Sequence, residues 1–167
     1  TVYKARQLSM DRLVALKILP PRLSQDRQYL DRFQREARLA GRLNHENVVN
    51  TIDVGLDGEY HYISMEYVEG QTVQQMIRER GAIPEAEALK IVRQVVEGLR
   101  CAHQHDLVHR DVKPDNVMVD GFGQAKLMDL GLACTVREVS SLTQTGTALG
   151  TPHYVAPEQA RGDPEID

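Results

Sequence analysis

Cysteine is scarce in this chain of 167 residues: Cys101 and Cys134 stand alone, with no CxxC or Cys/His spacing. Neither a disulfide framework nor a zinc site is expected, and both read as reduced thiols of a cytosolic protein. Long apolar runs are absent too. The best of them, such as Leu13 to Leu19, are broken by charge and fall far short of the roughly 20 residues a membrane-spanning helix requires. The first residues, Thr1 to Arg6, include no initiator Met and no signal-peptide core, so the chain reads as a segment of something longer. A formal charge of −4 provides no basic face for nucleic acid. Internal repeats and low-complexity tracts are missing as well. What remains is 41% hydrophobic and 26% charged, near globular averages. A chain of this length buries roughly 70% of its surface on folding, so one soluble packed domain is expected.

Local pattern divides the chain into two regions. Leu13 to Leu19 is β-branched and aliphatic around a single Lys17, and Pro20-Pro21 is expected to stop both strand and helix. Leu30, Phe33, Ala37 and Ala40 recur at helical spacing between Asp26 and Leu43, with Glu36 beside that stripe. Val48 to Val54 and Tyr60 to Tyr67 are strand-like and enclose Asp57-Gly58, a hairpin signal. Five strands are expected in the first 67 residues if the N-terminal segment pairs. Past Gly70 the character becomes helical. Pro84 can occupy a first helical turn, and Leu89, Val92, Val96, Leu99 and His103 mark a long helix whose stripe is expected in the core.

Val117 to Val119 and Ala125 to Met128 flank Asp120-Gly121-Phe122-Gly123 as a second hairpin. Its two ends hold the densest polar residues. His109-Arg110-Asp111-Val112-Lys113-Pro114-Asp115-Asn116 precedes the hairpin, with Pro114 stiffening the turn. Asp129-Leu130-Gly131 follows it. A two-stranded turn returns Asp129 close to Asn116, so a carboxylate and an amide oxygen converge, hard ligands of the kind Mg2+ prefers beside phosphate oxygens. From Thr135 to Thr151 the composition turns to Ser, Thr and Gly without periodicity, and a loop is expected.

These motifs, in this order, resemble the protein kinase superfamily, and within it the serine/threonine kinases of eukaryotic type found in bacteria. The resemblance runs from the end of the glycine-rich loop to just past Ala156-Pro157-Glu158. It implies an α+β, two-lobed protein kinase-like fold, truncated at both ends. Residues 1–66 would form a small antiparallel-sheet lobe with one long helix, lacking most of the glycine-rich loop. Residues 67–70 would be the hinge, and 71–167 a helix-rich lobe whose later helices are missing. The implied activity is transfer of the γ-phosphoryl group of ATP, with Mg2+ or alternatively Mn2+, to Ser/Thr hydroxyls of protein substrates. Asp111 would accept or orient the hydroxyl proton, Lys113 would reach the γ-phosphate, and Asn116 and Asp129 would hold the metal. Lys17 would bind the α- and β-phosphates, braced by Glu36. Val2 and Ala15 would cover the adenine ring from above and Met118 from below. Met65 would be the gatekeeper, with the backbone of Glu66 and Val68 as adenine partners. Thr72 falls where such kinases approach ribose or substrate.

The serine/threonine branch is implied by Lys113 and by the stretch Gly150 to Glu158, in which Thr151 belongs to the substrate-binding loop. By the same resemblance Arg110 would pair with a phosphate on the activation loop. Thr143 and Thr145 are the expected autophosphorylation sites, through kinase–kinase contact, with Thr147 as the alternative. His109 reads as a packing and hydrogen-bonding residue, not a proton carrier, and the other histidines as structural or surface groups. Leu130 stands where kinases commonly have Phe and keeps an apolar plug. Ala40 and Thr51 are small where the family's regulatory stack often has larger residues. The rival readings are a pseudokinase scaffold, against which Lys17, Asp111 and Asp129 are all present, and a small-molecule phosphotransferase, against which Gly150 to Glu158 argues. A cytoplasmic location is implied for this domain, in a parent protein of a kind often anchored to a membrane elsewhere. The missing glycines and helices leave activity of the chain by itself open.

Overall fold

The computed structural model describes residues 1–24, 26–130 and 154–161, with the side chains of Arg22, Gln28, Tyr29, Arg32 and Glu36 outside that description. β1 (Val2–Gln7) and β2 (Arg12–Ile18) form an antiparallel hairpin in which Val2 faces Lys17. β3 (Thr51–Asp57) and β4 (Tyr60–Glu66) form a second hairpin, and the sheet order is β1-β2-β4-β3. Gly58, at φ 58°, takes the left-handed backbone that a tight hairpin turn demands and that glycine adopts without steric strain. The strand expected from Val48 starts later, at Thr51, because Val48 bridges in parallel to Leu127. Among the described residues of the first 67 there are therefore four strands where five were expected, the N-terminal segment supplying only β1.

Pro20-Pro21 ends β2 but does not stop a helix. Pro21 opens the short α1 (Pro21–Ser24), where its missing N–H removes no intrahelical bond and its fixed φ suits the turn. α2 (Arg27–Ala40) turns Phe33 and Ala37 onto Leu19 of the β2 exit and Ile63 of β4, with Leu30, Val54 and Met65 around them. This apolar layer covers one face of the four-stranded sheet.

The second region is built on a three-stranded sheet of β5 (Gly70–Thr72), β6 (Val117–Asp120) and β7 (Ala125–Leu127), in the order β5-β6-β7. α3 (Val73–Arg80) is started by a capping box: Gln75 N–H donates to Thr72 Oγ1 at 3.1 Å, and Thr72 N–H donates to Gln75 Oε1 at 2.8 Å. Such reciprocal pairing satisfies two donors that a helix start leaves unpaired. α4 (Glu85–His103) follows, then a 3-10 turn over Pro114–Asn116 that leads into β6. α5 (Pro157–Arg161) is the last described helix.

The expected core stripe of α4 is corrected in part: Leu99 packs against the core as expected, but the rest of its apolar residues do not. Leu89, Val92 and Val96 are 62%, 56% and 52% exposed. The helix carries a second apolar stripe, Ile91, Val95, Gly98 and Ala102, and this is the one turned inward, onto Met76, Val117, Ala125 and Leu127 or the neighbouring core around Leu107. Both stripes have helical period, and the small residues Gly98 and Ala102 decide between them by allowing close approach.

That approach is tight. A Cβ on Gly98 would lie 2.6 Å from the Asn47 carbonyl oxygen and 3.0 Å from Leu127 Cδ1. Gly98→Ala should therefore destabilise the protein by about 1–3 kcal/mol through overpacking, although alanine favours an isolated helix by about 1 kcal/mol. Chemical denaturation checks this, and a midpoint unchanged or raised in the variant contradicts it.

Candidate active site

Between the two sheets lies a cleft of about 270 Å3. Val2 of β1 and Ala15 of β2 line it from the first sheet, Met118 of β6 from the second, and Met65, Glu66, Tyr67 and Val68 form its edge along the β4 exit. Alternation along β1 and β2 explains the roof: Lys4 pairs with Ala15, and Val2 lies two residues from Lys4 on the same face. Asp129 closes the inner end. The sequence-expected residues Val2, Ala15, Met65, Glu66, Val68, Met118 and Asp129 are thus brought to one cavity.

At that end Lys17 Nζ lies 2.6 Å from Asp129 Oδ1, a pair joining β2 to the residues beyond β7 and only partly exposed to solvent. The expected partner of Lys17, Glu36, lies on α2, but its side chain is outside the described residues. The hairpin brings Asp129 back as expected: Val117 pairs with Leu127, and Met128 N–H donates to the Asn116 carbonyl at 2.9 Å.

A second charged pair stands beside the first. Lys113 Nζ is 2.7 Å from Asp111 Oδ2. Asn116 Nδ2 donates to the same oxygen and to the Asp111 carbonyl, each at 2.8 Å, so the carboxylate is aimed by two donors. The loop that carries them bends through Arg110 at φ 62°, and Asp129 sits at φ 56°. Left-handed backbone is uncommon for residues other than glycine, and it concentrates where surrounding contacts over-determine a functional conformation. The Arg110 carbonyl is held at 2.7 Å by the Gln159 side-chain amide of α5.

His109 anchors this loop from beneath. It is 1% exposed, Asp111 N–H donates to its Nδ1 at 3.2 Å, and its Nε2 lies 3.0 Å from the Met128 carbonyl. With Nδ1 accepting, the ring proton belongs on Nε2, which donates to Met128. This agrees with the packing role expected for it.

Leu130 is 4% exposed and packs with Leu43, Val48, Ala102 and Leu107, the apolar plug expected there. Behind Met65, Ala40 and Thr51 join Asp129 and Leu130 around a small cavity of about 20 Å3. Thr72 does not line the cleft, because its hydroxyl caps α3. Thr143, Thr145, Thr147 and Thr151, with the loop expected from Thr135 to Thr151, lie outside the described residues.

The pattern missed Tyr3, Lys4, Val49 and Met128 as cleft-lining residues. Met128 could have been found, since it immediately precedes Asp129 on the returning strand. Lys4, whose Nζ lies 4.5 Å from the centre of the Tyr67 ring, joins β1 to the β4 exit by a cation–π contact that no local spacing announces.

Two sheets joined at an apolar cleft with charged groups at its inner end, and helices packed on each, are the two-lobed architecture of protein kinases. A model of the protein kinase domain family matches residues 1–165, and the chain belongs to that family. It is 43% identical over 161 residues to the serine/threonine-protein kinase PrkC of Bacillus subtilis, covering 96% of this chain and 25% of that protein. It is 42% identical over 170 residues to the serine/threonine-protein kinase PknL of Mycobacterium tuberculosis, covering 100% of this chain and 42% of that protein. The crystal structure of the Mycobacterium tuberculosis PknI kinase domain matches with a TM-score of 0.78 at 32% identity, over 99% of this chain and 60% of that one. The chain thus spans well under half the length of these two curated relatives.

Burial lowers the pKa of His109 below its usual value, with the Met128 carbonyl and the nearby carboxylates opposing the shift only in part. The fold thus favours the neutral ring. As pH falls below about 6.5 the unfolded chain takes up the proton first, so the stability His109 contributes is complete above that pH and is lost as pH falls through the lowered value. Equilibrium unfolding measured from pH 7 downward should show this decline, and His109→Gln should flatten it. An identical slope in the variant contradicts the assignment.

Proposed function

We propose that the protein containing this chain is a serine/threonine protein kinase, transferring the γ-phosphoryl group of ATP to Ser or Thr hydroxyls of protein substrates. The observation that carries this reading is the meeting of Lys17 with Asp129 at the inner end of an apolar cleft, beside the Asp111, Lys113 and Asn116 cluster. The adenine ring lies between Val2 and Ala15 on one side and Met118 on the other, with Met65 as gatekeeper. The Glu66 N–H already donates to the Asn50 carbonyl at 2.9 Å, so the Glu66 carbonyl and the Val68 backbone are the groups assigned to the ring. Residues 67–70 act as the hinge between a lobe of residues 1–66 and a lobe of residues 71–167.

Phosphoryl transfer asks mainly for positioning and charge neutralisation. Lys17 holds the α- and β-phosphates and is braced by Glu36. Asp111, aimed by Lys113 and Asn116, accepts or orients the acceptor's proton, and Lys113 answers charge on the transferring group. Asn116 and Asp129 fit Mg2+, or alternatively Mn2+: both offer oxygen, and Asn116 commits its nitrogen to Asp111, which leaves its oxygen for a cation. When bound, the cation neutralises phosphate charge.

Regulation belongs to the same reading. Phosphate on Thr143 or Thr145, or alternatively Thr147, pairs with Arg110, and one kinase molecule modifies another. Thr151 serves the substrate-binding loop. No described helix is long and apolar enough to cross a membrane. In the proposed reading the catalytic domain works in the cytoplasm, whether or not its parent is anchored.

The test is transfer of label from γ-labelled Mg-ATP by the complete protein to itself and to a basic protein acceptor. Label should appear on Ser or Thr, and Asp111→Asn should reduce transfer by roughly 10^2- to 10^4-fold, the usual contribution of a positioned proton acceptor. Phosphopeptide mapping should find Thr143 or Thr145. A complete protein that binds nucleotide yet transfers nothing refutes the kinase reading in favour of an interaction scaffold.

A further inference from the structure

At the cleft edge a third ion pair ties the two sheets together. Lys126 Nζ lies 2.6 Å from Glu66 Oε1, with side chains 13% and 31% exposed. Lys126 is a β7 residue paired across the strand with Met118, which floors the cleft. Glu66 is the last residue of β4, where the cleft edge begins. The second oxygen of Glu66 accepts the Asn50 N–H at 3.3 Å, while the Glu66 N–H donates to the Asn50 carbonyl at 2.9 Å. Glu66 is thereby fixed to β7 by charge and to the segment before β3 by two hydrogen bonds. Lys126 does not line the cleft; it lines a separate groove with Glu66 to Glu69 and Asp120 to Phe122.

A flat ring is held well only if the slot matches its thickness and the edge presents its backbone groups at a fixed height above the floor. Here roof and floor belong to different sheets, and the edge is a short connector between them. We propose that the Lys126–Glu66 pair is the positioning contact that sets the height of the edge over Met118, and through it the affinity of the cleft for nucleotide. Lys126 touches no ligand; it acts through Glu66. The pair is largely withdrawn from water, so removing the lysine leaves a half-buried carboxylate without its counter-charge. The edge then relaxes toward solvent, and the pre-organised slot is lost before any ligand enters. This inference rests on the nucleotide reading of the cleft.

The experiment uses the complete protein and four variants: Lys126→Met, Glu66→Gln, which keeps shape while removing charge, and Lys126→Glu alone and combined with Glu66→Lys. Steady-state kinetics give KM for ATP, KM for the acceptor and kcat, and calorimetry gives Kd for a non-hydrolysable ATP analogue. Lys126→Met and Glu66→Gln should each raise the ATP KM and the analogue Kd roughly tenfold, as contacts coupled at this distance do. For Lys126→Met, kcat should change less than about twofold and the acceptor KM should stay constant, since transition-state contacts are untouched. The reversed pair should recover most of the affinity that Lys126→Glu loses. Unchanged nucleotide affinity in Lys126→Met and Glu66→Gln, a change confined to kcat, or a reversed pair no better than Lys126→Glu overturns the proposal. Should Lys126→Met fail to fold, Glu66→Gln and the reversed pair carry the comparison of nucleotide affinity. Failure of the unaltered protein to bind the analogue at all overturns the nucleotide reading instead, so the two failures are told apart.

Discussion

The meeting of Lys17 with Asp129 depends on a backbone seam at Leu127. Its N–H donates to the Asn47 carbonyl at 2.9 Å, and its carbonyl accepts the Val49 N–H at 2.8 Å. The segment entering β3 is thereby sewn to β7. From that seam one path runs through β3 and β4 to β2 and Lys17, and the other runs two residues along the chain to Asp129. Both paths end at the 2.6 Å contact between Lys17 and Asp129. The seam is reinforced on its far side: Asn47 Nδ2 donates to the Ala125 carbonyl at 2.9 Å and to Gln94 Oε1 at 3.1 Å, and Ala125 N–H donates to the same Gln94 oxygen at 2.9 Å. Buried networks whose members are all partnered fix one arrangement, because each alternative leaves a desolvated polar group unpaired.

Two close charge pairs mark the site, Lys17 with Asp129 at the inner end of the cleft and Lys113 with Asp111 on the loop before β6. Each lysine is thereby satisfied by a carboxylate, and the pairs help hold the site in shape. In the proposed reading, a polyphosphate with a divalent cation would offer the same groups an exchange, anion to the lysines and cation to the oxygens. The strained backbone at Arg110 and Asp129 lies on either side of this site, held by His109 below and Gln159 from α5. The kinase reading thus rests on a scaffold that aims its groups before a substrate arrives, which is where most of the advantage in phosphoryl transfer lies.

Much of this was legible in the sequence because it is local. Alternation and turn residues marked the hairpins around Asp57-Gly58 and Asp120 to Gly123, and the second hairpin alone dictated that Asp129 returns to Asn116. The inner phase of α4 was not legible, because Leu89, Val92 and Val96 have the same helical spacing as Ile91, Val95, Gly98 and Ala102. Only the tight contact of Gly98 with Asn47 separates the two stripes, and that contact spans 51 residues of chain. The helix opening at Pro21 was hidden for a different reason: proline ends one element and begins another by the same geometry. The pairs Lys126–Glu66 and Lys4–Tyr67 join residues 60 and 63 positions apart, and periodicity names elements without naming their partners. The resemblance to kinases supplied roles for the cleft residues that spacing by itself could not.

The central claim is that Lys17, Asn116 and Asp129 converge to receive a nucleotide together with a divalent cation. It is tested most directly by calorimetric titration of a non-hydrolysable ATP analogue into the complete protein and into Asp129→Ala, each with and without Mg2+. The account predicts that Mg2+ tightens binding to the unaltered protein and that Asp129→Ala loses this dependence. Binding that ignores Mg2+, or a Mg2+ effect that survives in Asp129→Ala, would contradict it.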